Sequence, residues 1–357
     1  MSKFPGYYIT LLKDDVSEGG QSRTTAFLSY FKNRNWNIIN VFSLNNLGRI
    51  KSMCKNIPLL FLLKNKTIFI HIDALMFLFS ITLLNKPAFR NKFVSLLIRL
   101  SKRNKVIIEV NDLPYEQAID VGFAIVDLYK YFQDGVFSVK NIRFIFASDE
   151  MKKYTSQKFH LKNVDTIING SNLLNESILI PDFEWQNASE MKCIYAGTLN
   201  QGRGIEDLLN LFRSHPNIIL VLMGTSGEWL LDQNLPENVK YIGSYPEKIA
   251  HKIVSTCDLG IIHYDASKFY YNLCYPTKAS FYIAAKIPFL STPLTELKSH
   301  FANTEGTYFI DFDKWGAFLE TITQEELIKA KTSISRIYNS FTWPHLQLQL
   351  DEIMANS

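Results

Sequence analysis

Acidic residues are almost missing from one long stretch of this chain. Between positions 49 and 105 the cations are Arg49, Lys51, Lys55, Lys64, Lys66, Lys86, Arg90, Lys92, Arg99, Lys102, Arg103 and Lys105, against the single acid Asp73. The whole chain is only mildly basic, at +4, so this imbalance is local. Two readings stay open for it: a face lying on anionic lipid, or a solvated basic face over buried helices. Cysteine is scarce. Cys54, Cys193, Cys257 and Cys274 are scattered and make no C-x-x-C pair, which argues against structural zinc and fits a reducing cytoplasm. A secretory leader is not expected, because the first eight residues carry Pro5-Gly6 and no apolar core. Nor is there a long uncharged apolar run. The best candidate, 68–84, contains His71 and Asp73, so a buried strand followed by a buried helix is expected there, with His71 a core histidine. Low-complexity tracts and internal repeats are missing too.

What remains is the composition of an ordinary folded protein, 47% hydrophobic and 20% charged over 357 residues, enough for two cores. Apolar runs alternate with helical patterns. Strands are expected at 7–12, 37–42, 68–72, 106–110, 142–147 and 165–168, then, after a linker at 178–189, at 193–195, 218–223, 239–242, 259–262 and 288–290. Helices are expected at 93–100, 204–213, 248–255, 278–285 and 324–338. Ile205, Leu208, Leu209 and Phe212 fall on one stripe of the second of these. Repeated β-loop-α order predicts an α/β protein of two doubly wound domains, 1–182 with the C-terminal helix 340–357, and 190–339. Ligands of such sheets bind outside the carboxyl ends of strands, where the polar loops 13–21, 111–116, 197–204 and 224–227 fall.

Two segments suggest the ligand. Gly197-Thr198-Leu199-Asn200-Gln201-Gly202-Arg203-Gly204 opens one helix, and Tyr275-Pro276-Thr277-Lys278 opens another. Each places a cation where free N–H groups and the positive dipole end would meet an anion, so Arg203 and Lys278 are expected to converge on a diphosphate. Gly197 and Gly224 would allow backbone to approach a ligand, or simply serve turn geometry. Gly243-Ser244-Tyr245 could present backbone groups and a ring to a base, or form a simple structural turn. His263, Tyr271, Asn272 and Tyr275 suit a sugar, with anchoring of the loop as the plain alternative. Asp112 and Glu116, beyond the strand 106–110, are candidate acids for an acceptor hydroxyl, with Glu109 near them. A capping role is the alternative for Asp112. Asp311-Phe312-Asp313 superficially matches a D-x-D metal motif, but it reads as a turn with solvated acids. No metal and no cofactor are expected.

In order and spacing these residues resemble the GT-B glycosyltransferases, specifically the large retaining group known as family 4. Gly19-Gly20 with Arg23 resembles that family's first glycine loop, and Asn169-Gly170 its Asn-Gly element. Tyr195 to Ile205 resembles the loop that grips the donor diphosphate. Val221 to Gly224, Tyr241 to Gly243 and Cys257 to Gly260 resemble its later strand ends. Trp343 and its tail resemble the last helix, which crosses back to the first domain. Two features depart from the pattern. Thr198 stands where an arginine is usual, and the family's Glu-x7-Glu pair would fall at Leu273 and Phe281. Pro276-Thr277-Lys278 instead resembles a divergent branch containing bacterial glucosyltransferases and galactofuranosyltransferases. The resemblance implies a central cleft between two Rossmann-like domains. It also implies transfer of a hexose from a nucleotide-diphosphate sugar, with UDP expected, to a lipid- or peptide-linked glycan acceptor at the cytoplasmic membrane face. Nucleic acid is not an expected partner. A sugar-nucleotide epimerase and a non-catalytic scaffold of polysaccharide assembly are the alternative readings.

Overall fold

The structure, a computed structural model, describes residues 6–12 and 19–355. The chain divides into two compact units. Among the described residues the first comprises 6–12, 21–168 and 347–355, and the second 19–20 and 169–346.

The first unit is built on a six-stranded parallel sheet ordered β2-β1-β3-β4-β5-β6. Its strands are β1 (Tyr7–Thr10), β2 (Asn37–Asn40), β3 (Thr67–His71), β4 (Lys105–Val110), β5 (Arg143–Phe146) and β6 (Val164–Thr166). The intervening helices are α1 (Gly19–Lys32), α2 (Asn46–Leu62), α3 (Ile72–Leu78), α4 (Pro87–Arg103), α5 (Pro114–Val121), α6 (Val126–Phe137) and α7 (Asp149–Phe159). The strands are short and dense in Ile, Val and Phe because helices cover both faces. Their core is unusually aromatic: Tyr8, Phe31, Phe69, Phe132, Phe137, Phe144 and Phe146 are all fully buried. The stretch 68–84 is the expected strand and helix. His71 is buried and caps α3, its Nδ1 accepting from the Asp73 N–H at 3.2 Å.

The second unit repeats the plan with the order β12-β11-β10-β7-β8-β9. Its strands are β7 (Met191–Ala196), β8 (Ile218–Met223), β9 (Val239–Tyr241), β10 (Leu259–Ile262), β11 (Phe289–Ser291) and β12 (Thr307–Phe309). Its helices are α8 (Ile205–Arg213), α9 (Glu247–Ser255), α10 (Phe269–Leu273), α11 (Thr277–Ala284), α12 (Thr295–Phe301), α13 (Trp315–Thr321) and α14 (Gln324–Ile337). The stripe of α8 is fully inward, with Ile205, Leu208, Leu209 and Phe212 buried. β7 and β8 run outward to β9 on one side, and β10 leads to β11 and β12 on the other. The winding therefore reverses between β7 and β10.

The division between units falls at Ile168/Asn169, earlier than the expected linker. The reason is local bonding. Asn169 donates from Nδ2 to the Tyr275 carbonyl at 2.8 Å, and Ser171 pairs with Thr342. These bonds tie 169–171 into the second unit. The last helix, α15 (Trp343–Ala355), joins the first unit from Gln347 onward. There Asp351 accepts from Arg34 and Tyr30. The final carbonyls of Ile353 and Met354 accept from Arg143 and Lys105, cations suited to a helix C-terminus. Among the described residues no helix is long and apolar enough to cross a membrane.

Candidate functional site

The second unit carries a pocket of about 500 Å³ at the carboxyl ends of its strands, where the winding reverses. Its lining comes from four strand ends. Tyr195 ends β7 and leads to Gly202, Arg203 and Gly204. His263 and Tyr264 follow β10, Thr292 and Pro293 follow β11, and Asp311 and Phe312 follow β12. The loop between β7 and α8 is pinned at its start. Gly197 donates to the Met223 carbonyl at 2.9 Å, Leu199 to the Thr225 carbonyl at 2.8 Å, and Trp229 Nε1 to the Leu199 carbonyl at 2.7 Å. Beyond Leu199 the loop is exposed, and Arg203 stands on that exposed part.

Lys278 approaches the same pocket from behind. It is buried in the first turn of α11, and its Nζ lies 3.2 Å from the Tyr264 hydroxyl. The ammonium sits 4.7 Å from the centre of the Tyr195 ring and 5.0 Å from that of Tyr264. Both rings line the pocket. Gly197 makes the approach possible. A Cβ there would stand 2.7 Å from Lys278 Cε, and its φ of +155° disfavours any side chain. Gly224 packs on Gly197 in turn, since a Cβ at 224 would lie 1.7 Å from the Gly197 carbonyl oxygen. Burial acts to lower the Lys278 pKa, but the hydroxyls of Tyr195, Tyr264 and Tyr282 outweigh it and hold the value above the usual lysine range. Lys278 is therefore a charged, desolvated amine. Among the described residues neither it nor Arg203 has a carboxylate within ion-pairing reach.

The two helix starts are not equivalent. α11 has no side-chain cap and no acid in its first turn. α8 carries Glu206 and Asp207 there, and Glu206 accepts from the Gly202 N–H at 3.0 Å. The positive end of α8 is thus already answered by its own acids. The start of α11 has no such acids, so the two expected helix starts differ in charge.

His263 forms the pocket floor beside Asp207. Its ring stacks on Phe312 at 4.2 Å and its Nε2 lies 3.5 Å from Asp207 Oδ2. Burial lowers its pKa, with Asp207 and Asp265 pulling the other way. Among the described residues its buried Nδ1 has no hydrogen-bond partner.

No family model and no curated protein matches the sequence. Solved structures match in fold along almost the whole chain. Anabaena HepE in complex with UDP covers 99% of this chain and 100% of its own, at 9% identity and a TM-score of 0.65. Sucrose-phosphate synthase from Thermosynechococcus elongatus covers 99% and 98%, at 12% identity and 0.69. WaaG, a glycosyltransferase involved in lipopolysaccharide biosynthesis, covers 98% and 100%, at 11% identity and 0.65. The fold is GT-B.

Within this GT-B chain the structure groups some expected residues and separates others. Arg203, His263 and Tyr271 line the pocket, and Lys278 and Gly197 stand directly behind it. Pro276 and Thr277 form the start of α11 next to Lys278, and Thr198 lies on the pinned part of the β7–α8 loop. Asn272 is a scaffold. Its Nδ2 donates to the carbonyls of Ala266 and Lys268, and its Oδ1 accepts from Thr295, so it shapes the 266–268 wall with its amide fully engaged. Tyr275 is buried and its hydroxyl bonds to Ser280 Oγ at 2.9 Å, which makes it an anchor. Gly224, Ser244 and Tyr245 lie beyond β8 and β9 and are not part of the lining. Tyr245 meets Phe183 edge-on.

In the first unit, Glu116 is buried and accepts from Gln133 Nε2 at 2.7 Å, Tyr154 OH at 2.7 Å and Lys158 Nζ at 2.8 Å. A carboxylate so fully bonded is a strut between α5 and α7 and is poorly placed to take a proton. Glu109 is likewise tied to Arg23, 2.6 Å away. Asp112 is half-buried and accepts from Asn111 Nδ2 at 2.9 Å. The N-cap position of α5 is Leu113. Gly19 and Gly20 begin α1, and most of the expected 13–21 loop lies outside the described residues.

Sequence reading missed the tyrosine cage. Tyr195 and Tyr264 are far apart in sequence, and only the adjacency of β7 and β10 joins them. Their signal was aromatic residues at the ends of two strands. Asp311 borders the pocket and pairs with Lys314 at 2.9 Å, so the turn reading of that segment omitted its place at the site.

Proposed function

We propose that this chain transfers a hexosyl group from a nucleotide-diphosphate sugar, with UDP as the nucleotide, to a glycan acceptor in the synthesis of a bacterial surface polysaccharide or glycoconjugate. The observation that carries the reading is Lys278: a buried ammonium with no carboxylate partner, caged by two tyrosines at the wall of a strand-end pocket that Arg203 also lines. A desolvated cation of this kind stabilises the molecule when an anion completes it. A diphosphate leaving group supplies that anion, and its charge grows as the bond from the anomeric carbon to phosphate oxygen breaks. Lys278, Arg203 and the N–H groups opening α11 would stabilise that developing charge. One of the similar folds supports the donor class, since HepE has been solved with UDP and with UDP-glucose. His263, Tyr271 and the 266–268 wall then face the sugar. Asp112, at the carboxyl end of β4, is the acid proposed to orient the acceptor hydroxyl. The acceptor proposed is a growing glycan carried on a lipid.

Calorimetric titration with UDP and GDP tests the donor site. One of them should bind, and Arg203→Ala should weaken it by about tenfold, the worth of an exposed charge-assisted contact. A screen of sugar nucleotides for slow hydrolysis without acceptor should then single out one donor. Failure of every nucleoside diphosphate to bind would overturn the assignment.

A further inference from the structure

The acid-poor stretch is not a solvated helix face of the usual kind. Apart from Asn46 at its start, the exposed residues of α2 are Leu47, Ile50, Lys51, Cys54, Lys55, Pro58, Phe61 and Leu62, which recur at three- and four-residue spacing and so share one side of the helix. A surface helix normally turns polar residues to water, yet here Leu47 is 64% exposed, Ile50 55% and Leu62 77%. Leu44, just before the helix, is 87% exposed. α4 lies alongside. Arg99 sits over the Phe61 ring at 5.3 Å, and Arg103 donates to the Phe61 carbonyl at 3.0 Å. The exposed side of α4 carries Lys92, Ile98, Arg99 and Lys102 and no acid. An apolar ridge therefore lies beside a basic one on the same unit.

We infer that the paired faces of α2 and α4 form a docking surface for an anionic lipid bilayer, on which Leu47, Ile50 and Leu62 enter the headgroup region while Lys51, Lys55, Arg99 and Lys102 meet lipid phosphates. Charge complementarity selects this partner. Cations on long stems beside exposed large apolar side chains suit a boundary that is anionic at its surface and apolar beneath. Nucleic acid would meet the cations and leave the leucine and isoleucine side chains in water. A second copy packed on this face by a two-fold axis would set the same cations against each other. The inference stands on the first unit alone and does not need the donor assignment.

Co-sedimentation of the full chain with vesicles tests it. Binding is expected to vesicles of phosphatidylcholine mixed with phosphatidylglycerol, to be much weaker on phosphatidylcholine alone, and to fall as salt rises. Lys51→Glu with Lys55→Glu should cut it by about tenfold or more, from the loss and reversal of two surface cations. Leu47→Glu with Ile50→Glu should cut it comparably. These four side chains are exposed, so the variants should melt at the parental temperature and bind UDP as the parent does. The control pair Lys153→Glu with Lys329→Glu, both well exposed and elsewhere on the chain, should leave vesicle binding unchanged. The inference is overturned if anionic vesicles are not bound at low salt, or if the control pair loses as much as the α2 pairs. It is also overturned if the leucine–isoleucine pair binds vesicles normally while an RNA oligonucleotide is held through the lysines, or if the α2 variants dissociate a dimer.

Discussion

Lys278 is a buried ammonium that meets tyrosines and, among the described residues, no carboxylate. Among the described residues its Nζ has a single hydrogen bond, to Tyr264, and two aromatic faces. Replacing it by Met keeps the shape of the stem and removes a desolvated ammonium. Lys278→Met should therefore weaken UDP binding by roughly 2 kcal/mol or more while the chain still folds. Calorimetry paired with thermal melts would show it, and a variant that loses stability but nothing in binding would mark Lys278 as a structural residue. Glu116 should behave in the opposite way. Glu116→Gln keeps one acceptor oxygen but removes the charge that Lys158 pairs with and sets a second N–H donor against Gln133 Nε2, so it should cost about 2–3 kcal/mol of stability. Well below its melting temperature the variant should keep its kcat and its pH profile, since the group is not placed to move a proton. A kcat drop of a hundredfold with unchanged stability would restore Glu116 as an acid–base residue. Charge and spacing in the sequence sufficed to single out Arg203 and Lys278, because a cation opening a helix is unfavourable without an anion. They could not separate Asn272 and Tyr275 as scaffolds from sugar contacts, because that distinction lies in which carbonyl or hydroxyl each side chain meets across the loop.

Elements differ in how far the sequence betrays them. The strands are legible because parallel strands covered on both faces become short, dense runs of β-branched and aromatic residues. α8 is legible because a single inward stripe dominates it. α2 escapes notice because its outward side is apolar, which erases the usual alternation, and because Pro58 lies inside it. α10 and α12 span five and seven residues and are held by tertiary bonds such as Asn272 to Thr295, so no periodicity marks them. α9 hides a titrating group of its own. His251 is buried against Phe281, with Nε2 3.2 Å from the Phe281 carbonyl, and burial pushes its pKa down from 6.5 to about 4. The folded state thus refuses a proton that the unfolded chain accepts. Stability from this group is complete above 6.5 and is lost as pH falls from 6.5 towards about 4, by up to roughly 3 kcal/mol at 1.4 kcal/mol per unit. His251→Gln should flatten the fall in melting temperature across that window. A slope identical to the parent's would show that other groups set the acid sensitivity.

At the scale of the whole molecule, two unrelated chemistries are assigned to two units, and their separation can itself be measured. The sequence anticipated two doubly wound halves from the restart of β-loop-α order after residue 190. It placed their border late because Asn169-Gly170-Ser171 reads as a loop closing the first half. Only its bonds to Tyr275, Ser280 and Thr342 show that it belongs to the second. A ligand that binds the folded state alone protects the backbone it touches against local opening. Hydrogen exchange read by mass spectrometry should then give two non-overlapping footprints. UDP should slow exchange in 197–204, in 263–271 and at the start of α11, with α2 and α4 unchanged. Anionic vesicles should slow α2 and α4 and leave 197–204 as it was. Protection of α2 by UDP alone would mean that the basic and apolar ridge answers to the nucleotide, and the independence of the two sites would have to be abandoned. Protection at 263–271 without any at 197–204 would instead separate His263 from Arg203 and leave Lys278 without the diphosphate that justifies its burial.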